Sequence, residues 1–223
     1  MALDEALMAR ARSTGEWVLR VYSWSTPTLS LGRHQQACAA YDPRTLADAG
    51  VAVVRRPTGG RAILHDREVT YSVTAPAVGR GALRESYDRI NRLLVEGLRT
   101  LGADVEIART RRAPGPGLTP CFELPAPGEL VARGRKLAGS AQWRDNGALL
   151  QHGSILAAGD QTLVSTLLRE PTAPPPAPAT LSALLGREPS VSEVAAALFD
   201  AALRAGAAAL QPRYEDAAWT WRR

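Results

Sequence analysis

Residues 121–154 read CFELPAPGELVARGRKLAGSAQWRDNGALLQHGS, and the pattern inside this stretch decides the fold. Two strand-like runs flank Arg133-Gly134, and Asn146-Gly147 separates the second run from a third. Asn-Gly between alternating runs is the strongest short-range signal for a two-residue hairpin turn, so the stretch predicts successive antiparallel strands. It also holds Lys136, the only lysine among 27 lysine and arginine positions. An ammonium is a compact charge that aims three donors at one oxygen and changes protonation when desolvated, which a guanidinium cannot do. A lysine kept where every other basic position is arginine marks a candidate site, set against the plain alternative of a chance surface lysine.

Working outward, the C-terminal side carries PTAPPPAP at 171–178, a polyproline-like tether. Ser190-Val191-Ser192-Glu193 is a capping box, predicting a helix from Val194 to about Leu210 with Leu198, Ala202 and Ala205 on one stripe. Trp219 and Trp221 are expected to pack against the body. The organisation expected is a catalytic core over 1–170, with 171–223 supplying the tether and a helix that packs on the same domain.

On the N-terminal side, RTRRAPGPGLTP (109–120) reads as an exposed loop leading to Cys121. Before it, Tyr87, Ile90, Leu94, Leu98 and Leu101 recur at the helical period and Gly102 closes the run. Gly79 to Arg84 is linker-like. The segment ADVEIA after that helix reads as a strand, as do 17–24, 28–32, 51–54, 61–65 and 69–74. Asp42-Pro43 opens a short helix over Thr45–Ala49. The chain begins with a short amphipathic helix, Leu3, Leu7 and Ala11 on one face and Gly15 as its cap.

Composition narrows the function classes. Two cysteines, Cys38 and Cys121, are too few for a disulfide framework and suit a reducing cytosol. Cys38 lies among small residues and reads as packing. Asp4 and Glu5 interrupt the start, so no export signal is expected, and no run approaches the 18 apolar residues of a membrane span. A net charge of +5 favours acidic partners, yet the arginines are scattered and no nucleic-acid motif surrounds the cluster Arg109, Arg111, Arg112. Neither nucleic acid nor membrane is expected as a partner, and the expected location is the cytoplasm.

A second informative block is VAVVRRPTGGRAILHDREVTYSVTAP, residues 51–76. Gly59-Gly60 allows close backbone approach to a ligand, and Arg55, Arg56 and Arg61 stand beside it, which suits an anion cradle. A hairpin bend with solvated arginines is the structural alternative. His65-Asp66 adds a titratable ring beside a carboxylate, a pair that serves either chemistry or packing.

RRPTGGRAILHD together with GRKLAGSAQWRDNGALLQHGSIL resembles the lipoate-protein ligase A and octanoyltransferase group, relatives of the biotin-protein ligases. MALDEAL and WSTPTLSLGRHQ fit as well, so the resemblance spans roughly residues 1 to 200. It implies an α+β fold, a mixed and largely antiparallel sheet with packed helices. The ATP-using ligases of the group resemble RR-x-x-GGG, where this chain has Arg61 after Gly59-Gly60, and they often carry a further C-terminal domain. PCFELPAPGEL, a cysteine followed by phenylalanine upstream of GRK-x-x-GSAQ, is the arrangement of the cysteine-dependent, LipM-type octanoyltransferases. The resemblance implies Cys121 as nucleophile and Lys136 as the substrate-contacting lysine. It implies substrate-binding roles for Arg55, Arg56, Gly59, Gly60, Arg61, His65, Gly139, Ser140, Ala141, Gln142, His152 and Gly153.

The activity so implied moves an octanoyl group from acyl carrier protein to a lysine of a lipoyl domain or glycine-cleavage H protein. No cofactor or metal is expected, and ATP enters only if the chain is a ligase. A thiol suits this relay because thioester exchange is nearly isoenergetic and the acyl-enzyme stays activated toward an amine. A cation beside Cys121 would lower the thiol from its reference near about 8.5. The same ammonium would steady the tetrahedral oxyanion, worth roughly 3–4 kcal/mol. Either Lys136 or His152 could take the proton of the incoming amine. An ATP-dependent lipoate ligase, a non-catalytic homologue that binds lipoyl domains and a biotin-type ligase are the alternatives. The last is disfavoured because its glycine-arginine signature is missing.

Overall fold

A computed structural model describes residues 1–36, 40–77, 83–109, 122, 125–159 and 161–206. Its elements in chain order are α1 (Ala2–Thr14), β1 (Val18–Tyr22), β2 (Thr28–Leu31), α2 (Pro43–Asp48), β3 (Ala52–Arg55), β4 (Ile63–His65) and β5 (Glu68–Pro76). There follow α3 (Leu83–Thr100), β6 (Glu106–Ile107), β7 (Leu130–Ala132), β8 (Arg135–Asp145), β9 (Ala148–Leu156), α4 (Thr162–Thr166), α5 (Leu181–Leu185) and α6 (Val191–Arg204).

The hairpins expected around Arg133-Gly134 and Asn146-Gly147 form the middle of a six-stranded sheet ordered β1-β5-β9-β8-β7-β6, antiparallel throughout. Both central residues of each turn have positive φ (49° and 73°, 45° and 81°), as a two-residue turn that matches strand twist requires. His152 lies within β9, which continues to Leu156. A second sheet, β3-β2-β4, pairs β2 with β3 in parallel and with β4 antiparallel, which makes the fold mixed.

Alternation gives the large sheet two different faces. Tyr71, Val73, Leu149 and Ile155 meet Ile90, Leu94 and Leu98 of α3 and Val194 and Leu198 of α6 in the main core. The period-3.6 stripe expected on α3 therefore packs on the sheet, and α6 docks beside it under its capping box at Ser190 and Glu193. Arg20, Ser72, His152 and Ala141 form one row of the opposite face, which α1 covers. The buried side of α1 is Asp4, Leu7, Met8 and Ala11, so an acid sits where the apolar stripe was expected. Gln161 bonds to both Leu64 N and Leu64 O and so closes the free edge of β4, which blocks pairing with another strand.

The proline-rich residues 171–178 have no regular structure and are mostly exposed. Just beyond them the N–H of Ala179 donates to the Lys136 carbonyl at 2.9 Å. Two short helices, α4 and α5, escaped the sequence reading because five residues carry too little periodicity. Cys38, Cys121, Gly79, Arg111, Arg112, Trp219 and Trp221 lie outside the described residues. Among the described residues no helix is long and apolar enough to cross a membrane.

Candidate active site

The glycine turn is built by two segments that close on each other. Leu31 O accepts from Arg56 N at 3.0 Å and Thr58 O accepts from Arg33 N at 2.9 Å. A Cβ on Gly32 would stand 2.0 Å from the Gly60 carbonyl oxygen, so only glycine lets the turn seat against β2. The Arg56 guanidinium, 3% exposed, donates to the carbonyls of Ser30, Gly59 and Arg61. Arg55 Nη1 donates to the carbonyls of Gly32, Arg33 and Gln35. The anion cradle expected of this pair is thus a clamp: both cations are engaged by carbonyl dipoles and hold the turn's shape. A Cβ on Gly59 would meet nothing within 4 Å, and Gly60, which takes φ 95°, is the exposed glycine of the turn.

Above this turn stands His152, 4% exposed. Its Nε2 lies 2.7 Å from Thr58 Oγ1, and its Nδ1 lies 3.5 Å from Asp4 Oδ2. Asp4 Oδ1 accepts from Arg20 Nη1 at 2.6 Å. Burial pushes the His152 ring below the usual imidazole range, with Asp4 pulling the other way. For Asp4 burial works upward, but the His152 hydrogen bond and the Arg20 charge outweigh it and hold the carboxyl below its ordinary value.

Lys136 enters β8 directly after the Arg133-Gly134 turn, where it pairs with Val131, and its side chain meets that of Glu129, the residue before β7. Nζ sits between both carboxylate oxygens, 2.8 Å from Oε1 and 2.7 Å from Oε2, with both side chains buried. The Ala126 N–H donates to Oε2 at 2.7 Å, and the backbone of Ser140 also hydrogen-bonds the carboxylate. Burial pushes Glu129 above the usual carboxylate range while the Lys136 charge draws it back. The Lys136 ammonium, the Ala126 N–H and the Ser140 backbone all face the carboxylate and favour its charged form. The Phe122 ring, 2% exposed and packed on Ile63 and Leu156, lies 5.3 Å from Nζ at its centroid.

The strand period divides the GSAQ motif between the two faces. Gly139 and Ala141 share a face with His152 and Ser154. Ser140 and Gln142 point toward α3, where Ser140 Oγ lies 2.6 Å from Tyr71 Oη and Gln142 Nε2 donates to Ser86 Oγ and Gln151 Oε1. Gln151 in turn donates to Tyr71 Oη and Asn91 Oδ1, and burial pushes the Tyr71 hydroxyl up to about 12. Gly153 is what lets Tyr71 cross the sheet: a Cβ there would lie 2.7 Å from the ring and 2.3 Å from the Gly139 carbonyl. Gly153→Ala is expected to cost about 3 kcal/mol, the upper range of overpacking. A thermal melt should show this as a fall of roughly 6–12 °C.

Of the residues singled out by sequence, the structure thus joins Arg55, Arg56, Gly59, Gly60 and His152 in one assembly. Lys136 forms a second with Glu129 and Phe122. His65 stands apart from both hydrogen-bond systems. Its ring stacks on Trp24 at 4.6 Å, its Nδ1 is 3.4 Å from Glu68 Oε1, and both residues line a cavity of about 250 Å³ with Arg67 and Glu188. Arg61 contributes its carbonyl to the Arg56 clamp. Sequence reasoning missed Asp4, Thr58 and Glu129. An acid on the buried stripe of a helix, and a glutamate placed across a hairpin from the only lysine, were the available signals.

Residues 1–203 match the model of the lipoyl protein ligase A/B catalytic domain. The chain is 47% identical over 183 residues to an octanoyltransferase LipM of Kyrpidia tusciae, covering 77% of this chain and 66% of that protein. An octanoyltransferase LipM of Moorella thermoacetica is 47% identical over 163 residues, covering 70% and 59% respectively. The chain therefore spans slightly under two thirds of the length of these curated relatives. A putative lipoate protein ligase from T. acidophilum, solved with bound lipoic acid, shares the fold at a TM-score of 0.74 and 24% identity, covering 91% of this chain and 78% of that one.

Proposed function

The chain belongs to the lipoyl protein ligase A/B catalytic domain family, and from that premise we propose that it is an octanoyltransferase working through a thioester on Cys121. The observation that carries this reading is the seating of the only lysine. Lys136 is buried as an ion pair beneath Phe122, the residue that follows Cys121 in the sequence. The similarity to octanoyltransferases at 47% identity supports the same assignment.

The Cys121 thiolate attacks the carbonyl of an octanoyl thioester, and collapse of the tetrahedral adduct expels the carrier thiolate, which takes up a proton. The acceptor's lysine amine then attacks the enzyme thioester, and Cys121 leaves. One proton of the amine returns the sulfur to its thiol. Lys136 supplies fixed positive charge where the oxyanion forms. Paired with Glu129, that lysine acts here as a charge and a donor. The glycine turn, open at Gly59, lies along the acyl chain. On this reading the partners are acyl carrier protein and a lipoyl domain or glycine-cleavage H protein, in the cytoplasm.

The test compares two mixtures by intact mass spectrometry of an apo-acceptor. Octanoyl carrier protein without ATP is expected to add one octanoyl group, whereas octanoate with ATP is expected to add none. Acylation only in the ATP mixture would replace the transferase by a ligase.

A further inference from the structure

Asp4, Arg20, His152 and Thr58 form an unbroken polar chain inside the protein, and all but Arg20 are nearly inaccessible to solvent. Burying a carboxylate is costly unless it is paired, and the cost is met here by dividing its two oxygens between Arg20 and His152. A carboxylate only accepts, so the proton of the neutral imidazole must sit on Nδ1. Nε2 then carries the lone pair, and the Thr58 hydroxyl donates to it. The titratable and charged groups around the ring lie on three sides: Asp4 from α1, Arg56 from the glycine-turn segment and His65 from β4. Asp4 itself faces Arg20 of β1 and the chain's N-terminus.

Thr58 is thereby held at both ends, its carbonyl by Arg33 N and its hydroxyl by His152. We propose that Asp4 and His152 are positioning residues that fix the seat of the glycine turn through Thr58, so that the N-terminal helix sets how the turn meets the acyl donor. The kinetic part rests on the acyl-transfer reading; the tautomer part does not.

Two measurements on the full chain test it. In two-bond ¹H–¹⁵N spectra of histidine-labelled protein, assigned with His152→Gln, His152 is expected to show a protonated Nδ1 and a bare Nε2 at pH 7. An Nε2-protonated ring or an imidazolium at that pH overturns the relay. Thr58→Val is expected to raise KM for the octanoyl donor about 10-fold with little change in kcat, the loss of one buried hydrogen bond. Thr58→Ser should restore KM to within about 2-fold. A KM unchanged in the valine variant, or a serine variant as poor as the valine one, also overturns the proposal. Should wild type transfer no octanoyl group, the acyl-transfer reading fails, and the tautomer spectrum still decides the relay.

Discussion

Cys121→Ser is expected to lower octanoyl transfer by roughly 10³-fold or more, since a hydroxyl at neutral pH is a far weaker nucleophile than a thiolate. The first half-reaction carries the loss. Wild type incubated with octanoyl donor alone should gain one octanoyl group on Cys121, read by peptide mass spectrometry, and the serine variant none. Melting temperatures of the two proteins should agree, because serine is close to isosteric with cysteine. Normal transfer by the variant would mean that the acyl group passes directly from carrier to acceptor, and Cys121 would lose its assigned role.

Glu129→Gln is expected to reduce transfer about 10²-fold. The substitution keeps the shape of the side chain and removes the charge that faces the buried Lys136 Nζ. Either the ammonium stays, at a cost of about 3–5 kcal/mol in stability, or it gives up its proton. Loss of the cation should move the pH profile of Cys121 alkylation by iodoacetamide upward, because less thiolate forms at a given pH. Lys136→Arg should fail for a related reason, since a planar fork does not fit a slot that closes around one nitrogen. The double variant Glu129→Leu with Lys136→Met separates stability from chemistry. It should recover the melting temperature and stay inactive. Recovery of activity in that protein would show that the ion pair only holds the hairpin.

The hairpins were legible because Asn146-Gly147 and Arg133-Gly134 sit between alternating runs, and turn chemistry at that range is local. The helix from Leu83 to Thr100 was legible for the same reason, its stripe repeating over several turns, although Leu83 and Arg84 in its first turn read as linker. The single lysine pointed to its own site. What the alternation could not reveal was the division of Gly139, Ser140, Ala141 and Gln142 between two faces with different neighbours, since those neighbours, Tyr71 and His152, arrive from other strands. The carbonyls that the paired arginines hold were not legible. A guanidinium beside a glycine turn looks the same in sequence whether it meets an anion or three carbonyls, and only the chain path around Gly32 distinguishes them. Asp4 was read as an obstacle to export, and its burial depends on Arg20 and His152, sixteen and 148 residues away in sequence.

The bond from Ala179 N to the carbonyl of Lys136 gives the proline-rich crossing a mechanical part to play. A stiff segment that lands on the strand bearing Lys136 works as a strap across that hairpin. Cutting the polypeptide after residue 170 would therefore loosen the hairpin that carries Lys136 as well as shed two helices, and the two halves share one fate.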